Sequence, residues 1–78
     1  RLKVFYTAAR RLSFSRASEE LFISQPAVSK HISALEKAFK VKLFARQGSK
    51  ISLTPEGQLL YAYAEEIFAL YRKLQFEM

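Results

Sequence analysis

The chain has no cysteine, a single histidine, two glycines and two prolines among its 78 residues. Without cysteine there is no disulfide framework and no thiolate metal site, and a reducing cytoplasm is the simplest setting. The lone His31 has no second histidine or carboxylate cluster to share a metal with, and the adjacent Glu65 and Glu66 splay apart on a helix. A glycine-rich phosphate loop and a nucleophile–base pair are both missing, so no catalytic residue, metal site or cofactor is expected within the chain. The scarcity of glycine and proline favours long helices with few turns. No apolar run approaches the ~20 residues needed to cross a bilayer, no signal-peptide pattern opens the chain, and no membrane partner is expected.

Half of the residues are hydrophobic, including seven Phe and four Tyr, enough for the core of one small domain. Acid is missing where charge matters most. Residues 1–16 carry Arg1, Lys3, Arg10, Arg11 and Arg16 with no carboxylate, and residues 30–50 carry Lys30, Lys37, Lys40, Lys42, Arg46 and Lys50 against Glu36 alone. Residues 51–78 reverse the balance, with Glu56, Glu65, Glu66 and Glu77 against Arg72 and Lys73. A basic front and an acidic tail point to a polyanion-facing surface and a separate task for the C-terminal segment.

The periodicity predicts four helices and a hairpin. A first helix covers roughly 2–11, with Leu2, Phe5, Ala9 and Leu12 facing inward. Ser13-Phe14-Ser15 ends it, and Ser15 is the expected cap of a short second helix over 16–22, with Ala17 and Leu21 inward. After Ile23-Ser24, Ser24 caps a third helix with Pro26 in its first turn, where the missing N–H costs nothing. Its buried stripe is Val28, Ile32, Leu35 and Phe39. Two strand-like runs, 42–46 and 50–53, flank Gln47-Gly48-Ser49 as a β-hairpin, and Thr54-Pro55 restarts a helix that continues to about Glu77, roughly 34 Å at 1.5 Å per residue. The fold class is mainly α: a winged helix-turn-helix over 1–54, with a three-helix core and a hairpin wing at 42–53, followed by a long linker and dimerisation helix over 55–78.

In that fold the third helix enters the DNA major groove, N-terminal end first. Its outward stripe is Pro26, Ser29, Lys30, Ser33 and Lys37, led by Gln25, and residues 21–35 contain no carboxylate. Gln pairs with adenine N6 and N7, Lys donates to guanine O6 and N7, and Pro26 or Ala27 packs on a thymine methyl. Ser24 and the first-turn N–H groups suit a phosphate. Arg46, Lys50 and the Gly48 turn supply wing contacts to backbone or minor groove, and the basic residues of the first helix are expected on phosphates.

The segments "SFSRASEEL", "SQPAVSKHISALE", "KLFAR" and "LTPEG", in this order and spacing, resemble the N-terminal DNA-binding region of LysR-type transcriptional regulators across essentially the whole chain. The resemblance implies a cytoplasmic, nucleoid-associated bacterial regulator that binds double-stranded DNA, with a co-inducer held by a separate C-terminal domain and tetramers in the full-length protein. It puts the helix-turn-helix at 14–33, base contacts on Gln25, Pro26, Ser29 and Lys30, and backbone contacts on Ser15, Arg16, Ser24, Ser33 and Arg46. Three positions depart from the family pattern. Lys30 replaces the usual Arg, so a bidentate contact becomes a point charge; Ser49-Lys50 stands where the wing tip usually has Arg-Gly; and Ser18 replaces a second Ala.

The long helix is apolar on two sides. Leu59, Tyr63, Ile67, Leu70 and Leu74 form one stripe, and Leu60, Ala64, Phe68 and Tyr71 another. One small domain covers one side, so the first stripe is expected to pack on a second copy in a two-fold dimer. Two other readings use the same surface: a winged-helix protein-interaction module, and an architectural DNA binder in which charge alone suffices.

Overall fold

The computed structural model describes all residues, Arg1–Met78, as α1 (Leu2–Arg11), α2 (Phe14–Leu21), α3 (Gln25–Phe39), β1 (Phe44–Gln47), β2 (Lys50–Leu53) and α4 (Pro55–Glu77). This is a winged helix-turn-helix with a long C-terminal helix. The core lies among α1, α2, α3 and the base of the wing, and is built from Val4, Phe5, Ala8, Ala9, Ala17, Val28, Ile32, Leu43 and Phe44. Three of these nine are alanines, and their small side chains bring the helices close together. No buried side-chain polar atom lacks a partner.

Helix boundaries follow from local chemistry. Ser13, not Ser15, caps α2: its backbone is extended, with φ −160° and ψ 122°, and its Oγ accepts from the Arg16 N–H at 3.1 Å. The helix begins earlier than expected because Phe14 must point into the aromatic cluster around Phe44, with which its ring makes an edge-on contact at 5.2 Å. Leu12, Phe22 and Lys40 end the first three helices in the left-handed region, at φ 50°, 58° and 57°. Leu12 and Phe22 therefore leave their helices and turn outward, and Leu12 is exposed rather than part of the inward stripe. Phe39 also departs from expectation and is exposed.

The wing is shorter than its predicted strands. Lys42 and Leu43 precede β1: the Leu43 N–H donates to Glu36 Oε2 (2.8 Å) and not across the hairpin, while its carbonyl still accepts from the Thr54 N–H (3.1 Å) in register with the strands. The two strands pair antiparallel from Phe44↔Leu53 to Gln47↔Lys50, leaving a two-residue turn, Gly48-Ser49. Gly48 has φ 62°, the first-position requirement of a type II′ hairpin turn.

Thr54 then caps α4. Its Oγ1 accepts from the Gly57 N–H at 3.0 Å and donates to the Lys42 carbonyl at 2.6 Å. Further along, Tyr6 of α1 stacks on Tyr61 (5.2 Å between centroids, 12° between planes) and meets Phe68 at 5.2 Å. Partial burial, with the Glu65 carboxylate adding to it, raises the Tyr61 phenol above its ordinary pKa. The covered side of α4 holds Leu60, Tyr61, Ala64 and Phe68; Tyr71, expected there, is exposed and borders an open cleft with Lys3 and Tyr6 of α1.

The start of α4 can approach the wing this closely only through Gly57. A Cβ there would sit 2.1 Å from the Leu43 carbonyl oxygen and 3.0 Å from Leu53 Cδ2. Gly57→Ala is expected to destabilise the chain by about 1–3 kcal/mol, the usual range for forcing atoms into a packed site. Urea unfolding of the variant checks this, and an unchanged midpoint would contradict the close approach.

Candidate nucleic-acid interface

The third helix presents its polar stripe to solvent. Ser24 is its cap, with Oγ accepting from the Ala27 N–H at 3.1 Å, so the hydroxyl proton stays free to donate outward. Gln25, Pro26, Lys30, Ser33 and Lys37 are exposed, whereas Ala27, Ser29 and His31 are half-buried. Pro26 in the first turn brings no N–H of its own to the leading end, and the Ser24 cap takes up that of Ala27. The stripe carries no carboxylate. The only acid of α3, Glu36, is turned inward with its side chain 16% exposed, bonded to the Leu43 N–H and 3.9 Å from Lys42 Nζ.

Two connected clefts run beside this helix. One is bordered by Ser13, Phe14 and Ser15 at the start of α2, Gln25 at the start of α3, and Arg46 and Ser49 of the wing. The other lies between α3 and the wing, with Ser29 and Ser33 on one wall and Lys42, Ala45 and Arg46 on the other. Sequence candidates from three separate elements thus meet around one concave surface, with Arg46 common to both clefts. Arg16 is exposed on the first turn of α2. Lys30 and Lys50 are exposed but border neither cleft, Lys50 lying across the hairpin from Gln47.

Two basic residues of the first helix are ion-paired. Arg10 pairs with Glu20 Oε2, and Arg11 Nε donates to Glu20 Oε1 at 2.9 Å. Both guanidinium groups join α1 to α2 through this exposed clasp, and Glu20 offsets part of their charge. By contrast Arg16, Lys30, Arg46 and Lys50 form no ion pair. The residues that sequence reasoning missed are those that set geometry, namely Ser13, Glu36 and Gly57. For Glu36 the available signal was a solitary carboxylate in a basic stretch, just before a helix end.

Residues 1–58 match the family described as bacterial regulatory helix-turn-helix protein, lysR family. The chain belongs to the lysR family. It is 50% identical over 68 residues to the glycine cleavage system transcriptional activator of Escherichia coli K12, covering 87% of this chain but only 22% of that protein. Its fold superimposes on the crystal structure of the BenM DNA-binding domain in complex with catB site 1 DNA with a TM-score of 0.91 at 29% identity, covering 97% of this chain and 84% of the other. A LysR-family regulator from Eggerthella lenta DSM 2243 is 44% identical, with a TM-score of 0.78 over 82% of this chain and 91% of that one. No helix is long and apolar enough to cross a membrane.

The clasp generates a pH dependence. The hydrogen bond from Arg11 contributes most, followed by that from Arg10 and the charges of both, and together they outweigh desolvation and hold the Glu20 carboxyl below the ordinary carboxylate range. A folded-state pKa below the unfolded one means the stabilisation is complete above the unfolded value and disappears as pH falls through the folded value. Glu20→Gln is therefore expected to lower the melting temperature at neutral pH and to converge on the parent in strong acid. Thermal melts of both chains across pH check this; a gap independent of pH would remove the clasp.

Proposed function

We propose that this chain is the sequence-specific DNA-binding and dimerisation part of a lysR-family transcriptional regulator. The observation that carries this reading is the acid-free stripe of α3 beside clefts in which Ser15, Gln25, Ser29, Ser33, Arg46 and Ser49 converge. Likeness to a domain solved on its DNA supports it. On this reading α3 lies in the major groove. Gln25, Pro26, Ala27, Ser29 and Lys30 meet base edges, while Ser15, Arg16, Ser24, Ser33 and the wing residues Arg46, Ser49 and Lys50 hold backbone. Ala27 and Ser29, being half-buried, contribute only their outer atoms. Any co-inducer acts on sequence outside these residues.

Base reading and phosphate holding are separable by experiment. Sites are first selected from a random duplex pool. Gln25→Ala or Lys30→Ala is then expected to cost about 1–3 kcal/mol on the selected duplex and little on an unrelated one. Wild-type affinity should fall with salt by about 0.9 log units per log unit of salt for each neutralised phosphate. Equal losses on both duplexes would indicate architectural binding. Binding to no duplex would favour a protein-interaction module and overturn the proposal.

Dimerisation rests on the outer stripe of α4. Leu59, Tyr63, Ile67, Leu70 and Leu74 are each between 48% and 65% exposed along a single helix face. Fully burying such a side chain is worth about 1.5–3 kcal/mol, a strong drive toward a second copy. A two-fold pair of this kind matches an inverted-repeat operator with half-sites separated by whole helical turns. Ile67→Glu and Leu70→Glu are each expected to give monomers in analytical ultracentrifugation with the fold retained by circular dichroism. Persistence of the dimer in both variants would place the interface elsewhere.

A further inference from the structure

Arg46 stands apart from the other wing residues in how it is held. Its Cζ lies 5.1 Å from the centroid of the Phe14 ring, over the ring face. The same ring meets Phe44 edge-on, at 5.2 Å and 85°. Phe44 and Arg46 are alternate residues of β1 and so point to the same side of the hairpin. Phe44 is anchored in turn by the fully buried Phe5, at 5.6 Å between centroids. A chain of contacts therefore runs from the core through Phe44 and Phe14 to a guanidinium at the edge of the cleft beside Gln25 and Ser15.

We propose that Phe14 is a positioning residue for DNA binding: its ring holds the Arg46 guanidinium in a fixed place, so that wing and recognition helix grip a duplex as one unit. The inference deepens the DNA-binding reading above and rests on it. The attraction to the ring is electrostatic and no hydrogen bond holds the guanidinium, so its N–H donors stay free. No carboxylate pairs with Arg46, so those donors and the charge remain available for a phosphate. A free arginine loses much rotamer freedom when it is ordered on a ligand; one already held by an aromatic face loses less. Phe14 sits at the first position of α2, and so links the start of that helix to the wing.

The test is a double-mutant cycle on the selected duplex, with thermal melts showing that each variant is folded. Phe14→Leu is expected to weaken binding about two- to fivefold, from the usual worth of an exposed cation–aromatic contact. Phe14→Tyr should bind as the parent does. In an Arg46→Ala background, Phe14→Leu should cost nothing further. Additive losses would overturn the proposal while leaving DNA binding intact, whereas failure of the wild-type chain to bind any duplex would overturn the parent reading.

A second measurement needs no core substitution. In NMR spectra of the unliganded chain the Arg46 Hδ protons should be shifted upfield by the Phe14 ring, and that shift should persist on the duplex. Loss of the shift on DNA binding would mean that Arg46 leaves the ring to reach its phosphate, and would overturn the proposal even if Phe14→Leu fails to fold.

Discussion

The peptide at Leu43 is the joint on which the arrangement of the molecule turns. Its N–H is held by the Glu36 carboxylate of α3, its carbonyl by the backbone N–H of Thr54, and its side chain is 1% exposed in the core. Gly57 lets the first turn of α4 press against the same carbonyl. One residue thus fixes three elements relative to each other: α3, the hairpin and α4. A hydrogen bond to a charged acceptor contributes more than a neutral one, and leaving a buried N–H unsatisfied costs about 1–3 kcal/mol. Glu36 therefore does two things with one charge, since it orders the wing and keeps its carboxylate off the outer, acid-free stripe of α3.

The small core explains why such polar fastenings matter. Only 12 of 78 residues are buried, and much of the core is alanine, which packs helices closely but removes little apolar surface from water. The stability of the isolated chain then depends on caps, the Arg10–Arg11–Glu20 clasp and the aromatic docking of Tyr6 on Tyr61 and Phe68. A chain so constructed gains stability from association, because a partner that binds only the folded state shifts the folding equilibrium by mass action. The exposed stripe of α4 is where that coupling has the most surface to work with.

Much of this was legible in the sequence because it rests on periodicity. The apolar stripe of α3, the hairpin and the two-sided apolar character of α4 all follow from spacing, and Ser24-Gln-Pro and Thr54-Pro mark their helix starts through cap chemistry. What escaped depended on contacts distant in sequence. Ser13 and Ser15 are equally good caps on paper, and only the need to aim Phe14 at Phe44 decides between them. Leu12 fits the inward spacing of α1, yet closes its helix in a left-handed conformation and points out. The pairing of Arg10 and Arg11 with Glu20, ten and nine residues away, is likewise invisible in the charge pattern. The site candidates of α3 and the wing were readable as residue types; their convergence around Arg46 was not, since it needs β1 to lie beside the start of α2.

Lys30 gives the rigidity of the joint its functional meaning under the proposed reading. A lysine offers a flexible point charge where the family pattern has a planar fork, so it discriminates less between bases. Discrimination lost within one half-site must come from elsewhere. In a two-fold dimer each half-site contributes its own energy difference between right and wrong sequences, so modest contributions add across the pair. They add only when both recognition helices meet their grooves at once, which requires a fixed distance and angle between them. That geometry passes from α3 through Glu36 to Leu43, and from Leu43 through Thr54 and Gly57 into α4. Spacing between half-sites then becomes part of what is read, and the contacts that set it are as much a part of recognition as Gln25 or Lys30.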